Sequence, residues 1–160
     1  MHTDILNHAI LLRKDKKFEQ SRKILFDLIN SQDQVTGAIY LNIAWAYDNE
    51  GREQDALEYY QKALQETLSP PDLFEATFGL ACTYHSLGQF IQAEQIFIKL
   101  REHYPLASEV LPFYALCLQA LNKKDEALQI LFDLMIEHPP TAAISAYKPA
   151  ITYYVHELKY

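Results

Sequence analysis

The strongest constraint on this chain is a set of small and large apolar residues that returns every 34 to 37 positions. In the middle it reads Leu80, Ala81, Tyr84, Gly88, Phe90, Ala93, Phe97, Leu100 and Pro105. Upstream the pattern is Ile43, Ala44, Tyr47, Gly51, Ala56, Tyr60 and Ala63; downstream it is Tyr114, Ala115, Leu118, Ala127, Leu131, Leu134 and Pro139. A weaker copy opens the chain with Ala9, Leu12, Phe18, Ser21, Leu25 and Leu28. Ser21, Ala56, Ala93 and Ala127 are equivalent, and their separations are 35, 37 and 34. Self-similarity at this period marks stacked helix–turn–helix units. Such units expose an extended surface suited to holding another chain.

Each residue type has a physical task in this arrangement. Ala44 with Ala56, and Ala81 with Ala93, are small where two antiparallel helices cross, so the axes approach closely. Tyr47, Tyr84, Tyr60 and Phe97 are large and fill the space between units. Gly51 and Gly88 fall just past the first helix of a unit, where a left-handed residue ends it at low cost. Asn122 stands at the same place in the fourth copy and tolerates that conformation; Lys16 stands there in the first. Pro105 and Pro139 follow second helices, which they cannot continue. Apolar spacing predicts helices over about 3–14, 18–31, 37–50, 53–67, 72–87, 90–103, 107–121, 124–137 and 141–158. Gly79, Pro112 and Pro149 fall inside these stretches, and Pro149 is expected to kink or split the last one. The segment Ile24 to Leu28 returns as Ile130 to Leu134, both in second helices.

These residues resemble the tetratricopeptide repeat consensus. The third copy matches it almost throughout, the second well and the fourth moderately. The resemblance implies an all-α fold: helix–turn–helix repeats stacked as a right-handed α-solenoid, about four repeats plus a C-terminal capping helix. The expected bounds are repeats at about 2–36, 37–70, 74–107 and 108–141 and a last helix over 142–160, within one domain of residues 1–160. Residues 37–160 are also similar to a small family of uncharacterised, Bacillus-type bacterial repeat proteins. Trp45 within Ala44 to Asp48, the link Leu68 to Asp72, and Tyr147, Lys148, Ala150, Ile151, Tyr153 and Tyr154 carry that similarity. It implies protein binding, a tendency to dimerise and no enzyme activity.

Composition narrows the function. The net charge of −7 argues against nucleic acid, whose phosphates need clustered Lys and Arg. No apolar stretch approaches membrane-spanning length, and Met1 to Asp15 lacks the layout of a secretory leader. Cys82 and Cys117 form no disulfide framework, so a reducing cytoplasm is expected. Residues 37–73 carry two basic against seven acidic groups, read either as an acidic docking patch or as a solvated helix face. Among six histidines none shows metal-ligand spacing, no phosphate-cradling loop is present, and no cofactor is expected. Cys82 and His85, one helical turn apart, could support a thiolate, although a packing cysteine beside a surface histidine accounts for them more simply.

In the resembled fold, first helices line the concave face. That transfer assigns Leu6, Asn7, Ile10 and Arg13, then Leu41, Asn42, Trp45 and Asp48, to a partner-binding groove. It continues with Glu75, Phe78, Cys82 and His85, then Glu109, Phe113, Leu116 and Gln119. Trp45, Phe78 and Phe113 make this surface aromatic, as interaction sites are; alternatively these rings pack against each other or the last helix. The family's carboxylate clamp is missing, since Leu6, Ile10, Glu75 and Gly79 replace its polar residues and only Asn42 matches. A free terminal carboxylate is therefore not the expected ligand; the apolar groove instead leads to the expectation of a protein or peptide partner. Tyr147, Tyr153 and Tyr154 on the last helix fit either a cap or a homodimer surface. Tyr147, Ile151, Tyr154 and Leu158 would share one face if Pro149 only bends that helix.

Overall fold

The computed structural model describes residues 2–31 and 36–157, and among them all regular structure is helical. The helices are α1 (His2–Lys14), α2 (Phe18–Asn30), α3 (Gly37–Asp48), α4 (Glu53–Ala63), α5 (Pro70–Ser86), α6 (Phe90–His103), α7 (Val110–Ala120), α8 (Lys124–Glu137), α9 (Ala142–Ala146) and α10 (Lys148–Glu157). They fall into two compact units, Met1–Ile96 and Phe97–Tyr160.

The four turns inside the repeats close in the same way. Lys16, Gly51, Gly88 and Asn122 have φ of 61°, 75°, 74° and 62°. Each lies five residues before Ser21, Ala56, Ala93 or Ala127. The following amides, of Lys17, Arg52, Gln89 and Lys123, donate to the carbonyls of Leu12, Tyr47, Tyr84 and Leu118 at 2.8–3.0 Å. The left-handed residue itself donates three residues back, to Arg13, Asp48, His85 or Gln119. Paired bonds of this kind satisfy carbonyls that a helix end would leave bare. The divergent first copy thus makes the same turn as the others, with Lys16 bearing the strain that glycine avoids.

In the first unit α1 packs on α2, α3 on α4 and α4 on α5, while α1, α3 and α5 touch in succession. Among the described residues, two apolar clusters contribute to its core. One holds Ala9, Leu25, Leu28, Ile39 and Ile43. The other holds Leu41, Ala44, Ala56, Leu57, Tyr60, Ala63, Ala76 and Leu80. Burying a side chain such as Leu25 or Ile43 stabilises the fold by roughly 1.5–3 kcal/mol. Ser21 replaces the alanine of the other repeats at no loss, because its buried hydroxyl donates to the Ala9 carbonyl at 2.7 Å. Gly79 also finds its reason here. A Cβ on it would stand 2.5 Å from the Tyr60 ring, so the glycine lets α5 close over that ring.

The second unit pairs α7 with α8 and lays α10 on α8. Phe97, Leu100, Val110, Tyr114, Cys117 and Leu118 are buried, and the Phe97 and Tyr114 rings lie 5.8 Å apart. The predicted last helix is two helices, α9 and α10, with Tyr147 between them. Pro149 cannot donate into a helix that runs through it. As the second residue of α10 its missing amide is harmless. The same holds for Pro112, in the first turn of α7. The break changes the expected facing: Tyr147 caps α9 instead of sharing a stripe with Ile151 and Tyr154. Val155 is the buried residue of α10, Ile151 is half-buried and Tyr154 is exposed. Leu158 and Tyr160 lie outside the described residues.

Candidate functional site

Helices α1, α3 and α5, which touch in succession, carry twelve of the sixteen residues that sequence placed in a groove. Spacing of three residues along α3 sets Asn42, Trp45 and Asp48 on one side of that helix. Trp45 is half-buried and packs on the second core cluster. The Arg13 guanidinium of α1 lies 4.8 Å from the centre of its ring. Burial lowers the Arg13 pKa from its ordinary value, since the guanidinium gives up water. Its Nε has no hydrogen-bond partner, and neither has Asn42 Oδ1. The Asn42 amide group donates back to the Ala38 carbonyl at 2.9 Å, which leaves only its oxygen unserved.

Asp48, at the end of α3, accepts a hydrogen bond from the Tyr60 hydroxyl at 2.9 Å. Burial raises the Asp48 pKa, the Tyr60 bond opposes that, and Glu53 adds to it. Tyr60 in turn is pushed well above the usual phenol range, first by burial and then by the adjacent Asp48. Spacing singled out Tyr60 as a space-filler only. What it missed was that the hydroxyl has somewhere to go, and the mid-helix Gly79 was the one signal of a ring pressed against α5.

The remaining predicted residues are distributed unevenly. Leu41 has no exposed surface and belongs to the core, not to an open face. Leu6 and Ile10 are half-buried on α1, and Leu6 packs on the first cluster. Phe78 is half-buried, its ring 5.8 Å from Phe74, and Glu75 is exposed. Burial pushes the Cys82 thiol up to about 12, with Asp48 contributing. That disfavours the thiolate, and the His85 ring instead meets Phe90 edge-on at 5.3 Å. Phe113 and Leu116 lie on α7 of the second unit, 46% and 55% exposed. That unit also has a cleft of about 460 Å³ lined by Ile98, Arg101, Tyr104, Leu111, Asp133 and Leu134 among others.

The acidic stretch is largely engaged internally. Glu50 pairs with Arg22 at 2.8 Å, Asp55 with Arg52 at 2.8 Å and Glu58 with Lys62, while Asp72 accepts from Ser69. Arg22 and Arg52 lie 4.3 and 4.7 Å from the Tyr47 ring centre. Tyr47 stacks on Tyr59 at 5.5 Å. This assembly is structural, joining α2, α3 and α4.

The profile of the Tetratrico peptide repeat family matches residues 37–158. The chain belongs to that family. Its fold class is all-α, that of the tetratricopeptide α-solenoid. Repeats of this kind are generally protein–protein interaction modules and typically non-catalytic scaffolds. Among curated proteins, 111 residues are 24% identical to Protein O-mannosyl-transferase Tmtc3 of Drosophila melanogaster, covering 69% of this chain and 12% of that protein. The chain thus spans a small part of that relative's length. Among solved structures YrrB, a tetratricopeptide protein with an unusual peptide-binding site, superposes with a TM-score of 0.74 at 13% identity, covering 94% of this chain and 75% of its own. A tetratricopeptide protein from Parabacteroides merdae gives a TM-score of 0.73 at 17% identity, covering 99% and 60%. A MamA D159K mutant gives 0.70 at 19%, covering 98% and 86%. These likenesses concern the fold. No helix among the described residues is long and apolar enough to cross a membrane.

Proposed function

We propose that the protein is a non-catalytic interaction module of the cytoplasm whose α1, α3 and α5 face holds an extended segment of a protein partner. The observation that carries this reading is the half-buried aromatic pair Trp45 and Phe78 on α3 and α5, helices that touch each other, with Arg13 of α1 against the Trp45 ring. Trp45 and Phe78 supply the apolar anchors between which the segment's side chains would settle. The peptide-binding site of the structurally similar YrrB supports the reading. Phe113 and Leu116 offer a further apolar contact surface on α7.

The test is a random-peptide display selection on the wild type beside Trp45→Ala. Selected peptides should bind the variant with a loss of about 2 kcal/mol or more, as hot-spot truncations do. Peptides that bind both alike would defeat this reading.

A second reading has its own observation. Tyr147, Tyr153 and Tyr154 are 69%, 62% and 68% exposed, a density of aromatic surface that suits a two-fold contact. Sedimentation should then show a concentration-dependent dimer that Tyr153→Asp/Tyr154→Asp weakens. A wild type at monomer mass across micromolar concentrations would sink it.

A further inference from the structure

We propose that Arg13, braced on the Trp45 ring, seats an acidic side chain of the bound segment. This rests on the peptide-binding reading above and names the partner's chemistry. The first unit has three arginines. Arg22 is paired with Glu50 and Arg52 with Asp55. Arg13 alone has no carboxylate among the described residues, although it is the one of the three on the binding face. Its guanidinium lies 4.8 Å from the centre of the Trp45 ring, and the side chain is only half-buried. The Nη end of such a guanidinium is shaped for two parallel bonds to a carboxylate.

The surroundings fix where the acid sits. Asp48 accepts from the Tyr60 hydroxyl at 2.9 Å and forms no ion pair with Arg13. Glu75 on α5 is exposed. An anion is therefore favoured over α1 and disfavoured toward α5, which also gives the segment a direction across the face.

The probe is a library of random dodecapeptides displayed with their C-termini fused, so that chain-end carboxylates are absent. Selection on the wild type should enrich Asp or Glu at one position. A selected peptide, synthesised with an amidated C-terminus, should lose at least about tenfold on Glu→Gln replacement against the wild type. Against Arg13→Gln the two peptides should bind alike, and Arg13→Lys should restore part of the discrimination. Arg13→Met keeps an apolar stem against the Trp45 ring and removes a half-buried charge that has no carboxylate, so Tm should stay near the wild-type value or rise. A fall in Tm would make Arg13 a packing residue and overturn the proposal. So would equal discrimination by wild type and Arg13→Gln. Peptides without an acid that are still lost on Trp45→Ala overturn this proposal and leave the groove reading standing. A selection yielding nothing sensitive to Trp45→Ala overturns both.

Discussion

The Tyr60 hydroxyl donates to Asp48 Oδ2 at 2.9 Å, joining the end of α3 to the last turn of α4 beside Gly79. Without this bond a buried phenol oxygen and a half-buried carboxylate would each lack a partner. Hydrogen bonds to charged groups contribute roughly 1.5–3 kcal/mol. Tyr60→Phe should therefore destabilise the fold by about 1–3 kcal/mol in urea unfolding, with the slope of the transition unchanged.

Asp48 gives stability a distinct pH dependence. Its pKa is raised in the folded state, so the folded protein holds a proton that the unfolded chain has released. Stability from this group therefore falls as pH rises from the ordinary carboxylate pKa through the raised one, and stays reduced above it. Asp48→Asn keeps an acceptor for Tyr60 and removes the charge. It should raise Tm at pH 7, and its advantage should shrink on acidification. A gap between the two proteins that is constant with pH would contradict the burial argument.

Gly79 should tolerate no side chain while Tyr60 is present. The Cβ of Gly79→Ala meets the ring at 2.5 Å, and forced repacking costs about 1–3 kcal/mol despite alanine's better helix propensity. In a Tyr60→Ala background the clash is gone, and Gly79→Ala should then be neutral or stabilising. A double-mutant cycle reads that coupling directly; strict additivity would place the ring elsewhere.

The helix crossings differ in what they accept. Ala93 has no exposed surface, and Ala93→Leu should cost about 1–3 kcal/mol through overpacking. Ser21→Ala matches the other repeats, and the Ala9 carbonyl keeps its helical bond, so the change should stay within about 1 kcal/mol. Thermal melts of the two variants check both expectations.

Arg22 and Arg52 both cover Tyr47, but only Arg22 is buried, its side chain 8% exposed against 48%. Arg22→Ala removes the Glu50 pair and the ring contact and should cost about 2–3 kcal/mol. It falls short of a fully buried pair because the Glu50 side chain is 35% exposed. The deficit should persist in molar salt, since a shielded pair is screened little. Arg52→Ala should leave Tm near the wild-type value.

By itself the sequence determined the helices, their order and their turns. These rest on local forces: apolar spacing, the small residues at crossings, and the left-handed positions at Lys16, Gly51, Gly88 and Asn122. It also brought Arg13, Asn42, Trp45 and Asp48 into one list, because equivalent repeat positions point the same way. Tertiary structure decided which of the listed residues remain available. Leu41 disappears into the core, while the seemingly structural Tyr60 reaches Asp48. The kink or split expected at Pro149 takes the form of two helices, with Tyr147 between α9 and α10 and Pro149 in the first turn of α10. Spacing along a helix gives the direction of a side chain. Its burial, its partners and its pKa depend on what the neighbouring helix places opposite, and those neighbours lie some 35 residues away in the chain.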